Sequence, residues 1–303
     1  MLPELSVIVL PDVAPADFVA QTREAEAAGV RRVWTYDHLS WRDLRDGPWH
    51  ATVPLLTAAA LATERVRIGP QVASPNFRHP VTFAKEVMTL DHLSGGRVDL
   101  GIGAGTAAHD AQVLGEPVLT PRQRQDRFEE WTGLLGRLLR GPQGEALGVD
   151  HAGEYWTAVD ARTIPGCVQA PRVPFTVGAT GPRGMRHAAR TGAAWVSIGA
   201  PRTVEGLDDW LDGFAEQAAA FDRAQEQVAA EAGADATADP RVRRIAQIGL
   251  DRPEPFTDAG TYADVIARLS ALGYDEVSIH WPRADGRGVP AAALDAVVAL
   301  HAV

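Results

Sequence analysis

The sequence predicts one (β/α)8 barrel occupying the whole chain, 1–303, as a single domain. Short β-rich apolar runs alternate with longer helical patterns from end to end, which is how repeated βα units and a parallel sheet read in sequence. Several of the runs are nearly continuous in Val, Ile and Leu, as strands covered on both faces by helices must be. Pro at helix starts and Gly just past helix ends punctuate the units.

In order, the first strand is LSVIVL from Leu5, followed by a helix over Pro15–Ala28 that Gly29 stops. RRVWTY from Arg31 is the second strand, with a helix over Thr52–Thr63. RVRIGPQV from Arg65 is the third, followed by Pro80–Leu93 and the pair Gly95 and Gly96. RVDLGIG from Arg97 is the fourth, with a helix over Pro121–Leu139 ended by Gly141. The stretch from Gly141 to Arg172 is rich in Gly, Pro and polar residues, carries only a weak apolar pattern around EYWTAV, and reads as an insertion on the barrel.

The second half repeats the alternation. Strands PFTVGA from Pro174, AWVSIG from Ala194, RRIAQIGL from Arg243 and EVSIHW from Glu276 are followed by helical segments Arg183–Thr191, Val204–Ala232, Tyr262–Leu272 and Ala291–His301. Eight strands, each followed by a helix, close most economically into a barrel. The rival is an open doubly wound sheet, to which the GIGAG of Gly101–Gly105 could belong. It lacks the sixth-position Gly of a dinucleotide turn, and no second strand with an acidic end follows about 20 residues on.

Composition narrows the function classes. Asp and Glu outnumber Lys and Arg by 39 to 29, a formal charge of -10 that repels nucleic-acid phosphates and anionic lipid. The lone Cys167 makes neither an internal disulfide nor a metal site. The first strand has no His-x-His pair and the nine histidines form no ligand-spaced cluster, which disfavours a metal-dependent barrel hydrolase, and no metal is expected. The N-terminus lacks a basic start and a long apolar run, and no stretch nears the roughly 20 apolar residues of a membrane span, so a cytoplasmic protein is expected.

A barrel of this kind builds its site from the loops after the strands. There the sequence offers YDHLSWR with Asp37, His38 and Trp41; ASPNFRHP with Ser74, Asn76, Phe77, Arg78 and His79; GAGTAAHD with Thr106 and His109; then GATGPRG and HWPR. GATGP opens a helix with a Gly-rich turn, whose unpaired N–H groups and positive dipole end suit a phosphate, with Thr180, Arg183 and Arg186 adding a hydroxyl and charge. The alternative is an ordinary turn with solvated arginines. Asp37 and His38 are adjacent, so on a regular strand they face opposite ways and only one enters the barrel. Trp34, Trp41, Trp49 and Trp281 are core fillers or pocket walls, and Trp41 and Trp281 are assigned to the substrate pocket. His79 and Arg97 begin a helix and a strand, so a structural role is expected of them.

Three stretches carry a family resemblance: FRHPVTFAKEVMTLDHLSGGRVDLGIGAG from Phe77 to Gly105, EAAGVRRVWTYDHL upstream and RQRQDRFEEW downstream. Across nearly its whole length the chain resembles the bacterial-luciferase-like family of flavin- and deazaflavin-dependent oxidoreductases. The resemblance implies a tricyclic ring in the barrel mouth, held by Ala73, Ser74, Asn76 and Thr106, with a non-proline cis peptide at Ala73–Ser74. It implies coenzyme phosphate at Gly178, Ala179, Thr180, Gly181 and Arg183, and makes His38 the proton-handling residue with Asp37 in support. A structural histidine bonded to a barrel carbonyl is the alternative for His38. Glucose-6-phosphate dehydrogenases of this family carry a catalytic Glu where Thr106 stands, which disfavours sugar-phosphate oxidation.

The implied chemistry is hydride transfer between reduced F420 and a small organic substrate. The alternative is reduced-FMN-dependent monooxygenation with dioxygen, its flavin reduced by a separate reductase. The Asp37–His38 pair and the RHP stretch favour F420 over FMN. A non-catalytic flavin-binding barrel is the reading from another class, and a homodimer is expected from the resemblance.

Overall fold

The computed structural model describes residues 2–105, 109–142, 147–200, 204–232 and 241–302. All eight predicted strands are present: β1 (Glu4–Ile8), β2 (Arg32–Thr35), β3 (Arg67–Pro70), β4 (Leu100–Gly103), β7 (Phe175–Gly178), β8 (Ala194–Ser197), β9 (Arg243–Gln247) and β10 (Glu276–His280). They run in the order β3-β2-β1-β10-β9-β8-β7-β4. Parallel bridges Ile68–Val98 and Ala73–Ile102 return from the β3 side to the β4 side, which completes the ring of a (β/α)8 barrel.

The helices fall close to their expected spans, with Pro opening α1 (Pro15–Ala27), α3 (Pro80–Leu93), α5 (Pro121–Leu139) and α6 (Pro182–Thr191); the others are α2 (Thr52–Ala62), α7 (Leu207–Ala232), α8 (Ala259–Ala271) and α9 (Leu294–His301). Two features were not anticipated. A five-residue helix, α4 (His109–Val113), follows β4, and the insertion folds into an antiparallel hairpin of β5 (Val149–Ala152) and β6 (Thr157–Ala161). None of the described helices is long and apolar enough to cross a membrane.

Backbone packing divides the chain into two compact units, Met1–Val9 with Glu24–Trp34 and Thr176–Val303, and Leu10–Arg23 with Thr35–Phe175. In the first unit, charged residues stand at the starts of β1, β2, β9 and β10. Glu276 has no exposed surface and its carboxylate accepts from both Arg32 and Arg243, the latter at 3.0 Å. Arg243 also reaches Glu4 at 2.6 Å. Two guanidiniums around one buried carboxylate compensate a desolvation that a lone charge could not survive. Trp195 stacks on Phe221 in the core at 4.3 Å and 9°.

In the second unit, α3 and α5 pack through Trp131, fully buried and stacked on Phe83 and Phe128 at 5.9 and 6.3 Å. Removing a buried ring of this kind costs about 3–5 kcal/mol. Arg97 is structural, as its place at a strand start suggests: it donates to the carbonyls of Ala60, Thr63 and Val66 at 2.7, 3.0 and 2.8 Å, satisfying the C-terminal end of α2. His79 is the N-cap of α3, its Nδ1 accepting from Val81 N–H at 3.2 Å.

Candidate active site

In the segment after β2, two adjacent polar residues part company. Asp37, 1% exposed, is gripped by Arg78 through both carboxylate oxygens at 2.7 and 3.1 Å. Burial works to lower the Arg78 pKa, but the Asp37 carboxylate outweighs it and holds the guanidinium above its ordinary value. Arg78 also meets Glu86 at 3.1 Å, and its backbone carbonyl accepts from the Trp131 indole at 2.8 Å. Asp37 was expected to support His38; both of its oxygens are instead bonded by Arg78, in a bidentate ion pair that ties the segment after β2 to the loop after β3.

His38 has a different carboxylate. Its Nδ1 lies 2.7 Å from Asp110 Oδ2, and the other oxygen of Asp110 accepts from Leu39 N–H at 2.7 Å. Because a carboxylate only accepts, this places the imidazole proton on Nδ1 and leaves Nε2 as the basic nitrogen. Trp41 stacks on the imidazole at 4.3 Å and 29°, and the Trp49 indole donates to the His38 carbonyl at 2.9 Å. Asp110 is 1% exposed whereas the His38 side chain is 20% exposed, so a buried acid orients a reachable base. Asp110 sits in α4, beside the exposed His109 that the sequence had singled out.

The segment after β3 is pressed into the barrel wall. Ala73 has no exposed surface, its N–H donating to the Gly101 carbonyl at 2.8 Å and its carbonyl accepting from Gly103 N–H at 2.9 Å. Ser74 and Asn76 are buried as well. The non-proline cis peptide is Gln71–Val72, not Ala73–Ser74. The parallel pairing of Ala73 with β4 keeps that residue in the ladder, so the departure from regular strand geometry falls before it. Two glycines permit this crowding. A Cβ on Gly101 would stand 2.1 Å from the Pro70 carbonyl oxygen, and Gly105, with φ of 72°, lies so close to Asn76 that a Cβ would sit 2.4 Å from its Nδ2. The Asn76 carbonyl oxygen accepts from Arg127 Nη2 at 2.5 Å. Thr106 lies outside the described residues.

The loop of Gly178, Ala179, Thr180 and Gly181 belongs to the first unit. The Trp195 indole donates to the Ala179 carbonyl at 2.8 Å, and Gln217 reaches the Thr180 carbonyl at 3.5 Å. Gly181 is the N-cap of α6 and makes no side-chain cap; Thr180, Gly181 and Pro182 are exposed and Arg183 is half-buried. A ten-residue helix that opens on a surface glycine, without a capping oxygen, fits an anionic ligand oxygen in that place. Trp281, also in the first unit, is only 5% exposed, and its N–H donates to the Ile8 carbonyl at 2.9 Å. The neighbouring His280 is 2% exposed, and burial pushes its pKa down to about 3.

The sequence reading overlooked Asp110 and Arg127 as working side chains, although both lie in stretches it singled out. Asp110 ends GAGTAAHD and Arg127 stands in RQRQDRFEEW. Among the described residues no group of three or more His, Cys, Asp or Glu is disposed to hold a metal ion.

The chain resembles known proteins in sequence and in fold. The chain is 38% identical over 212 residues to the F420-dependent glucose-6-phosphate dehydrogenase of Beutenbergia cavernae, a match covering 69% of this chain and 60% of that protein. It is 33% identical to the 4-hydroxyprotoasukamycin monooxygenase of Streptomyces nodosus subsp. asukaensis, covering 66% and 54%. These matches therefore span under two thirds of the relatives' length. In fold, it superposes with a TM-score of 0.73 on an F420-dependent secondary alcohol dehydrogenase in complex with an F420-acetone adduct, at 21% identity over 92% of this chain and 93% of that one. The F420-dependent tetrahydromethanopterin reductase of Methanopyrus kandleri superposes with a TM-score of 0.71, at 17% identity over 98% and 97%. The luciferase-like monooxygenase family matches residues 2–280, nearly the entire chain, and the protein belongs to that family.

Proposed function

We propose that this protein is a single-domain barrel oxidoreductase that binds F420 and moves a hydride between the coenzyme and a small organic substrate. The observation that carries the reading is the bond from His38 Nδ1 to the buried Asp110 at 2.7 Å. When bound, F420 supplies obligate two-electron hydride chemistry. Hydride transfer to or from a carbonyl or alcohol needs a partner for the proton, and an imidazole whose Nδ1 is held by a carboxylate presents Nε2 for that task. The Trp41 ring on its face restricts rotation of the imidazole and keeps water from that side. Asp37 is left out of the proton path because Arg78 occupies both of its oxygens.

In this reading the uncapped start of α6, with Gly178, Ala179, Thr180, Gly181 and Arg183, receives the coenzyme's phosphate. Ser74, Asn76 and the Ala73 backbone would hold the ring, and Trp41 would wall the substrate pocket. Relatives that are F420-dependent dehydrogenases support the choice of coenzyme. A sugar phosphate is not proposed as substrate, since Thr106 stands where the family's glucose-6-phosphate dehydrogenases carry their catalytic Glu. The similarity to a monooxygenase favours a second reading, oxygenation with reduced FMN delivered by a separate reductase. A homodimer in the cytoplasm completes the proposal.

Titration of the apo-protein with F420 and with FMN, followed by absorbance and fluorescence, tests it. Saturable F420 binding and substrate-dependent oxidation of the reduced coenzyme are expected. FMN binding with dioxygen uptake selects the second reading, and binding of either coenzyme with no turnover leaves a binding protein.

A further inference from the structure

Two half-buried guanidiniums of the second unit are held by carboxylates, Arg67 by Asp99 at 2.6 Å and Arg78 by Asp37 at 2.7 Å, and Arg97 is held by three carbonyls. Arg127, in the second turn of α5, is held more loosely. Among the described residues its one side-chain partner is the neutral Asn76 amide at 2.5 Å, and its Nε is buried with no hydrogen-bond partner. Burial holds its pKa below the ordinary arginine value, with Glu116 and Tyr155 opposing only at a distance and Arg124 adding to the depression. Arg124, one turn earlier, donates to the Leu119 carbonyl at 3.1 Å, its one side-chain bond among the described residues. Two neighbouring guanidiniums, neither bonded to a carboxylate among the described residues, place two positive charges side by side that an anion would neutralise.

The insertion hairpin is built to stand at this spot. Arg137 donates to the Asp150 carbonyl at 2.9 Å, and seven residues back along α5, about 10 Å by helical rise, Glu130 clasps the hairpin tip. Its carboxylate accepts from the N–H groups of Glu154, Tyr155 and Trp156 at 3.1, 3.0 and 2.9 Å and from His151 Nε2 at 3.0 Å. The clasp delivers Trp156 to Arg127, whose backbone carbonyl accepts from the indole at 3.4 Å, and to His79, 5.3 Å away edge-on. An aromatic wall beside a cation that lacks an anion is the composition of a site for a carboxylate- or phosphate-bearing molecule.

We infer that Arg127, backed by Asn76 and Arg124, receives a compact anionic group of the substrate, a carboxylate or a phosphate, and that Trp156 at the hairpin tip walls this subsite. The inference rests on the redox reading only in calling the ligand a substrate; the coenzyme's own phosphate is assigned to the start of α6.

The test is calorimetric titration of inorganic phosphate, at low ionic strength, into the wild-type protein, R127Q, R127K and the control R122Q, at an exposed arginine of the same helix. F420 and its phosphate-free deazaflavin core are titrated in parallel. Losing a charge-assisted hydrogen bond predicts an about tenfold or greater fall in phosphate affinity for R127Q, an intermediate value for R127K, wild-type affinity for R122Q, and unchanged F420 binding. Wild-type phosphate affinity in R127Q, or no saturable binding in the wild type, overturns the inference. So does an R127Q protein that loses F420 but keeps the phosphate-free core, since the anion is then the coenzyme's. If phosphate binding depends on Arg127 while neither F420 nor FMN binds, the anion site stands and the redox reading falls.

Discussion

Asp110 spans 72 residues of sequence to hold the ring of His38 at 2.7 Å, and with its second oxygen it holds the backbone N–H of Leu39 at the same distance. One buried carboxylate thus sets both the tautomer of the imidazole and the path of the chain that carries it. D110N keeps the shape but removes the charge and leaves one accepting oxygen, so it serves either the His38 imidazole or the Leu39 N–H and not both. H38A is expected to lower kcat by about 10²–10⁴. D110N should lower it less, with KM for coenzyme nearly unchanged. Equal kcat of D110N and wild type would remove the dyad from the mechanism.

Asp37 and Arg78 are expected to matter for folding, not for proton transfer. R78Q strands a carboxylate that is 1% exposed, a loss of about 3–5 kcal/mol for breaking one side of a buried pair. Removing both charges together, in D37L with R78M, should cost less than R78Q alone. Urea midpoints of the three proteins check this, and a double variant weaker than R78Q would contradict it.

The clasp on the hairpin is sensitive to acid. Burial works to raise the Glu130 pKa, but the His151 ring and the N–H groups of Tyr155 and Trp156 outweigh it and hold the carboxyl below its ordinary 4.5. A depressed carboxylate contributes stability that is complete above the unfolded value and lost as pH falls through the folded one. Hydrogen exchange at 153–157 should therefore accelerate below about pH 4.5 while β1 and β10 stay protected. E130Q should open the same amides at neutral pH, at a cost of about 1–3 kcal/mol.

Buried histidines set a second, milder pH dependence. Burial holds His280 near 3 and also lowers His301, whose Nδ1 bonds the Pro3 carbonyl at 2.7 Å and whose Nε2 meets the Tyr262 hydroxyl at 2.9 Å. Both bind fewer protons folded than unfolded below 6.5, so stability is full above that value and declines as pH falls beneath it. Tm measured from pH 7.5 to 5 should drop, and the drop should shrink in H280N. A flat Tm in the wild type over that range would count against it.

The barrel was legible in the chain because its cause is local. Nearly unbroken apolar runs such as LSVIVL and RVDLGIG can only be strands covered on both faces, and Pro80 and Pro121 open helices where φ is already set. His38 was legible for the same reason, being a titratable residue just past a strand end. Its partner was not, since nothing in GAGTAAHD says that a five-residue helix will aim Asp110, and not His109, across to the loop after β2. Adjacency made Asp37 look like the partner of His38, and only the packing of the loop after β3 hands Asp37 to Arg78. The hairpin has too few apolar residues to announce itself, because a side chain 26 positions away, Glu130 for Trp156, supplies the hydrogen bonds that hold its tip. Periodicity and turn chemistry belong to neighbours in sequence and can be read there; the pairing of charges belongs to neighbours in space, which exist only once the strands have closed.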